Sequence, residues 1–282
     1  MFDYVFALRP STKCNFKCSY CISHDDLHKN YVDSTYDIDS IIWHVSQYPN
    51  NIVNICGYGE TMLHHQFDEL VIELSKVTKV NWITNGTMFN TSKFNNILKY
   101  ANHKNIHDVI ISVHLAQIHN LDTYIPSYYD AEQKLKDVGI TVHTTSVATE
   151  YTVDLIIAYK EFFPNLCVSP QFTRRICNNE IIVTPQNNTV LTKLLENNVN
   201  IVFNTLNEPP YAGTPCLSGY KVFEVMHDGN IYDCLFNTDK ILLGNINIKK
   251  PLIVLTPPRL CNSLSMICID MALNGCGLIK KS

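Results

Sequence analysis

The chain has 282 residues, 46% hydrophobic and 17% charged, which is enough apolar material for one large α/β domain with or without a small appendage. A formal net charge of −4 with no Lys/Arg-rich run argues against a polymeric nucleic acid as partner, and no apolar run approaches the roughly 18 residues of a membrane span. The N-terminus, Met1-Phe2-Asp3-Tyr4, lacks the order of a signal peptide, so the eleven cysteines read as thiols or metal ligands of a cytoplasmic protein.

The apolar run Tyr4 to Leu8 predicts a strand, and Cys14, Cys18 and Cys21 follow on the loop at its C-terminal end in C-x3-C-x2-C spacing. Three close thiolates can converge on one soft metal centre. A closed zinc site wants a fourth ligand, which His24 or a distant cysteine would have to supply. A [4Fe–4S] cluster on three thiolates would instead keep one iron open to a small molecule.

Apolar residues at 38, 41, 42 and 45 predict a helix from Ile38 to Tyr48, stopped by Pro49. Strand Ile52 to Cys56 then delivers Gly57-Tyr58-Gly59-Glu60. The pair His64-His65, read as surface, precedes a helix with Phe67, Leu70, Val71 and Leu74 on one face. Strand Val80 to Ile83 ends in Thr84-Asn85-Gly86, and helix Ser92 to Tyr100 leads to strand Val109 to Val113, which ends at His114. A polar, aromatic segment precedes a helix around Ala131 to Val138. Strand Ile140 to Val147, helix Val153 to Phe163 and a strand from Leu166 complete the series. Cys56 and Cys167 read as small apolar packing residues. Six strands alternating with helices predict a parallel sheet covered by helices, too few units for a closed eight-fold barrel.

The cysteine spacing, with the aromatic Tyr20 before the last cysteine, resembles the signature of the radical S-adenosylmethionine (radical SAM) enzymes. The resemblance implies an open, partial (β/α)6 TIM-like barrel. It implies a [4Fe–4S] cluster on Cys14, Cys18 and Cys21, with S-adenosylmethionine on the open iron and Tyr20 near its adenine. Gly57-Tyr58-Gly59-Glu60 looks like the family's Gly-Gly-Glu motif, with Tyr58 in place of the second glycine and Thr61 in place of the usual proline. Glycines let backbone approach a ligand and a carboxylate accepts from an ammonium, so by resemblance the Gly57–Gly59 backbone and Glu60 hold the amino group of S-adenosylmethionine. Asn85 and Ser112 are further candidate cofactor contacts. Taken alone, Asn85-Gly86 is equally a turn and Ser112 a strand-end cap. His114, Arg174 and Arg175 are the candidate substrate contacts, the arginines being otherwise two solvated cations. Residues 175–207, asparagine-rich and with one helix-like stretch around Val190 to Leu195, read as a connector closing a first domain, 1–207.

The stretch Pro209 to Pro215 marks a boundary, and 208–282 is predicted to be a small cysteine-rich α+β extension, a β-hairpin plus a helix. Cys216 and Cys234 bracket the hairpin, whose turn carries Asp228-Gly229. The pattern Cys216-x12-Gly229-x4-Cys234, followed by Leu243-Gly244-Asn245-Ile246, resembles the SPASM and twitch auxiliary-cluster extensions. Five tail cysteines instead of seven imply one auxiliary [4Fe–4S] cluster on Cys216, Cys234, Cys268 and Cys276, with Cys261 as competitor. A zinc knuckle has the same spacing.

The resemblance therefore implies reductive cleavage of S-adenosylmethionine to a 5′-deoxyadenosyl radical that abstracts hydrogen from a small-molecule or nucleotide substrate. An external donor of flavodoxin or ferredoxin type would supply electrons, and the auxiliary cluster would accept one or ligate substrate. A peptide maturase is the alternative, set second because the cysteine loop starts 14 residues in, ahead of which no leader-binding domain fits. A zinc-stapled binding module without chemistry is the alternative of a different class.

Overall fold

The computed structural model describes residues 2–21, 33–170, 172–177, 180–185, 188–201, 215–216, 218–234, 240–255 and 259–260; of 170, 172–177, 180–185, 188, 215–216 and 259–260 it describes the backbone alone. Six strands alternate with five helices in order: β1 (Tyr4–Leu8), α1 (Ile38–Ser46), β2 (Asn51–Ile55), α2 (Phe67–Ser75), β3 (Lys79–Thr84), α3 (Ser92–Tyr100), β4 (Ile106–Ser112), α4 (Leu121–Asp137), β5 (Thr141–Ala148), α5 (Val153–Tyr159) and β6 (Leu166–Pro170). β1 to β6 pair in sequence order, all parallel, as the alternation predicts. The fold is the mixed α/β, partial TIM-like barrel expected from the sequence.

The strand period of two sorts each strand between two environments. Val53 and Ile55, Val80 and Trp82, Val109 and Ile111 face the helices and are 0–1% exposed, packed in one core with Phe67, Leu70, Phe94 and Leu135. Ala7, Asn54, Cys56, Asn81, Ile83 and Ile110 face the lumen. A second, small cluster of Val5, Ile52 and Val222, with Phe2 against it, lies below them at the N-terminal ends of the strands. Helix starts are capped where the sequence offers an acceptor: Asp37 accepts from Ser40 N–H at the head of α1, and Asn120 from Thr123 N–H at the head of α4.

Three features depart from the sequence expectations. α4 begins ten residues earlier than Ala131, at Leu121, with Pro126 inside it. Proline just past the first turn forfeits one backbone bond, a loss offset by burying Tyr124 and Tyr128. The stretch read as a connector holds an antiparallel pair, β7 (Phe172–Cys177) and β8 (Glu180–Pro185), then α6 (Asn188–Glu196). The chain then returns to the outer edge of β6, where Val168 N–H donates to Asn200 O at 2.8 Å. His64, read as surface, is 0% exposed, its Nε2 bonded to Ser34 O at 2.7 Å.

β9 (Pro215–Cys216) pairs with β13 (Arg259–Leu260). The tail hairpin forms as read, from β10 (Val222–Val225) and β11 (Asn230–Tyr232), with β12 (Leu242–Asn245) beyond it. It joins the barrel sheet: β10 pairs in parallel with β1 on the edge opposite β2, giving the order β12-β11-β10-β1-β2-β3-β4-β5-β6. All four residues of β10 are buried, which covers an edge that would otherwise offer unpaired backbone. The expected tail helix, with Cys261, Cys268 and Cys276, lies outside the described residues, as does the side chain of Cys216. Cys234 sits half-buried just past β11. No described helix is long and apolar enough to cross a membrane.

Candidate active site

The three cysteines and the strand-end motifs meet on one cavity of about 310 Å³ at the C-terminal ends of β1 to β4. Its wall includes Cys14, Cys18 and Cys21, the whole of Gly57 to Glu60, and Tyr20, Asn85, Ser112 and His114. Each sequence-predicted cofactor contact is therefore on this cavity. Arg174 and Arg175 lie on β7, and their side chains are outside the described residues.

The cysteine loop is pinned to its neighbours at several points. Glu60 N–H donates to Lys13 O at 2.8 Å, and Gly59 packs so closely on the same segment that a Cβ there would lie 2.3 Å from Lys13 O. Asn85 donates to Asn15 Oδ1 at 2.8 Å, Asn15 donates to Thr87 Oγ1 at 2.9 Å, and Lys17 N–H donates to Gln117 Oε1 at 3.0 Å. Tyr20 Oη lies 2.6 Å from His114 Nδ1. Within the loop, Cys21 N–H donates to Cys18 O and Phe16 N–H donates to Cys14 Sγ.

Glu60 is 2% exposed and clasps the loops after β2 and β3. It accepts from Met62 N–H at 3.0 Å, the Thr84 hydroxyl at 2.7 Å and Asn85 N–H at 2.6 Å. Burial pushes its carboxyl up, against the pull of those three donors. A carboxylate has about four acceptor sites, so one remains for a ligand. Burial likewise raises the Cys14 thiol and brings Cys18 to about 11. Without a cation the thiols stay protonated; a bound metal would reverse this.

Burial lowers His114 to about 4. A neutral His114 accepts the Tyr20 hydroxyl proton, fixing that ring against the loop. Because the unfolded ring titrates near 6.5, the unfolded chain binds the extra proton between pH 6.5 and 4, and stability falls as pH falls through that window. The ring keeps some contact with solvent in the cavity, so the loss at pH 5 relative to pH 7 is about 1–2 kcal/mol. Buried His44 and His64 add to the pH dependence in the same sense, so in denaturant unfolding of the metal-free protein at the two pH values His114→Asn should shrink the difference by that amount rather than abolish it.

Sequence reasoning missed Arg9, the end of the strand that feeds the cysteine loop. Arg9 is buried, and its Nε and Nη2 hold Glu224 Oε2 on β10 at 3.0 and 2.9 Å. Tyr58 lies under the guanidinium, 5.3 Å from ring centre to Cζ. Cys56, read as core, faces the cavity beside this pair. A cation ending an apolar strand and a glutamate inside another were the available signals. Removing one partner of a buried pair leaves the other charge uncompensated, so Glu224→Ala should destabilise the protein by about 3–5 kcal/mol in denaturant unfolding.

Residues 8–152, just over half of the chain, match the family model of the Radical SAM superfamily. The chain belongs to the radical SAM superfamily. No curated protein matches it in sequence. Solved structures share its fold: anSMEcpe with bound AdoMet, at 18% identity and TM-score 0.56 over 86% of this chain and 78% of that one. BtrN in complex with AdoMet and 2-DOIA matches at 15% identity and TM-score 0.51, over 87% of this chain and 78% of that one. SuiB of Streptococcus suis bound to S-adenosylmethionine matches at 18% identity and TM-score 0.55, over 86% of this chain but 63% of that one. A radical SAM chain holds a [4Fe–4S] cluster and S-adenosylmethionine, and the donor set fits them: three thiols on one cavity wall, with a buried carboxylate and glycine backbone across from them.

Proposed function

We propose that this radical SAM enzyme abstracts a hydrogen atom from a small-molecule substrate held in the barrel lumen. The observation that carries the reading is the convergence of the cysteine loop and Gly57 to Glu60 on one cavity open to that lumen. Cys14, Cys18 and Cys21 would hold the cluster, Glu60 and the Gly57–Gly59 backbone would take the ammonium of S-adenosylmethionine, and Tyr20 and Ser112 would contact its adenine and its ribose or carboxylate. When bound, the cluster supplies the electron that cleaves S-adenosylmethionine to methionine and a 5′-deoxyadenosyl radical.

The chain's own part is to orient and to exclude. Asn15, Asn85 and Gln117 anchor the cysteine loop, and His114 holds Tyr20. The aliphatic walls Ile83 and Ile110 keep water from the reacting centre. Beyond the barrel, Cys216, Cys234, Cys268 and Cys276, with Cys261 as competitor, are the proposed ligands of a second cluster in the segment 208–282. A flavodoxin- or ferredoxin-type protein is the proposed electron source.

The test is anaerobic incubation of the reconstituted protein with dithionite and S-adenosylmethionine, followed by chromatography for 5′-deoxyadenosine and methionine. Both products in equal amount support the reading. Zinc in place of iron, with neither product, overturns it in favour of a stapled binding module.

A further inference from the structure

The lumen below the cysteine loop carries polar side chains that the steps above leave unused. In strand register Glu224 stands beside Ala7, Ala7 beside Asn54, Asn54 beside Asn81 and Asn81 beside Asp108, so one row crosses five strands. Arg9 neutralises Glu224. The other three polar members have no such partner. Asn81 is 8% exposed and its amide makes no side-chain hydrogen bond to any described residue. Asn54 Oδ1 and Asp108 Oδ1 are each buried without a partner. Asp108 Oδ2 lies 3.1 Å from His107 Nδ1 and 3.7 Å from His143 Nε2, and no lysine or arginine among the described residues pairs with it.

This row lies where two cavities meet. Asn54 and Asn81 line the cavity of about 310 Å³ assigned to S-adenosylmethionine. Asn81 and Asp108 line an adjoining one of about 770 Å³, which continues along the inner faces of β4 to β6 past Ser112, Thr145 and Ser169. The larger space is within the range of small-molecule sites. A buried polar group left without partners destabilises the free protein, and a ligand supplying the missing hydrogen bonds removes that penalty. Position and chemistry therefore agree: the unsatisfied groups face the space next to the cofactor.

The lining also says what kind of ligand fits. Two orphaned oxygens are acceptors and so require donors. Asp108 is the one carboxylate among the described lining of the larger cavity; no lysine or arginine occurs there, and the basic side chains of that lining, His107 and His143, both approach Asp108 Oδ2 and leave Oδ1 free. A phosphate or carboxylate would meet repulsion there, whereas an ammonium would meet a partner. Hydroxyls suit Asn54, Asn81, Ser112 and Thr145, which can each accept or donate.

We propose that the Asn54–Asn81–Asp108 row reads the substrate, a small polyhydroxylated amine whose ammonium pairs with Asp108 and whose hydroxyls bond Asn54 and Asn81. The inference rests on the small-molecule reading above and gives it a chemical class. Asn81 is the specificity-determining residue at the junction, placing the substrate against the cofactor cavity.

The experiment is saturation-transfer NMR and calorimetry on the anaerobic, iron-loaded enzyme with S-adenosylmethionine present, using glucosamine, glucose, adenosine monophosphate and triglycine as probes. Glucosamine should bind at least about tenfold tighter than glucose, and the nucleotide and peptide should bind more weakly than either. Asn81→Leu should weaken glucosamine about tenfold or more, and Asp108→Asn should bring glucosamine and glucose level; iron content and unfolding midpoint report that each variant is folded. Equal affinity for the two sugars, preference for the nucleotide or peptide, no sugar binding, or wild-type binding by both variants overturns the proposal. Because the readout is binding, failure here leaves cleavage of S-adenosylmethionine standing, and failure of that cleavage leaves this result standing.

Discussion

Replacing Cys14, Cys18 and Cys21 together by alanine is expected to abolish 5′-deoxyadenosine formation and to lower the iron count from about eight per chain to about four. The three thiols share one loop on one cavity, and the other described cysteine lining that cavity, Cys56 at the end of β2, is a single thiol that cannot replace three. Iron and sulfide analysis with electron paramagnetic resonance, with and without S-adenosylmethionine, reads both changes. A signal that shifts on adding S-adenosylmethionine in wild type and vanishes in the variant identifies the first cluster. A fall from about four irons to none would confine iron to the barrel and remove the second cluster from the proposal. Iron unchanged in the variant would overturn the assignment of the three cysteines.

The second large effect is expected at Gly59, with Gly57 as its internal control. A Cβ on Gly59 would lie 2.3 Å from Lys13 O and 2.8 Å from Thr12 C, both backbone atoms of the segment leading into the cysteine loop. Neither can rotate away as a side chain would, so Gly59→Ala displaces the loop or the glycine turn. A displacement of order 1 Å between reacting groups costs about a hundredfold in rate. A Cβ on Gly57 meets no protein atom nearer than 3.5 Å, an ordinary contact, so Gly57→Ala should leave the cysteine loop in place and keep the iron content and unfolding midpoint of wild type, any loss of rate there reporting contact with the ligand. Iron content and unfolding midpoint, read beside the rate of 5′-deoxyadenosine formation, separate the two. Equal behaviour of both variants would mean that the close packing of Gly59 on the cysteine loop has no part in holding the site.

The motif reading assigned one function to the whole Gly57 to Glu60 stretch, and the structure divides it. Gly59 is needed for packing against the loop, Tyr58 supports Arg9, and Glu60 spends two acceptor sites joining the loop after β2 to the end of β3 and a third capping its own turn at Met62. Its role toward a ligand is thus inseparable from its role in holding the loops, and loss of Glu60 would disturb both.

Much of the fold was legible because its signals are local. β-branched runs and apolar spacings of 3, 4 and 7 depend on a dozen residues, and they located six strands and, α4 excepted, the helices between them to within a few residues. The motifs were legible because each sits at the C-terminal end of a strand, where a parallel barrel gathers its loops. The start of α4 was misjudged because Pro126 reads as a break, and its tolerance depends on the packing of Tyr124 and Tyr128. The pair β7 and β8 was missed although Ile181 to Thr184 is β-branched, because an asparagine-rich composition outweighed it.

The sequence by itself determined the α/β class, the family and the place of the cysteine loop and its companion motifs at strand ends, since these follow from residue type and short-range spacing. Only the tertiary structure decided what lies inside the barrel. That β10 continues the sheet beyond β1, that Arg9 meets a glutamate 215 residues away, and that Asn54, Asn81 and Asp108 fall on one row are outcomes of strand register. Register is set by packing between distant segments, and a shift of one residue would turn each of those side chains from the lumen to the helices.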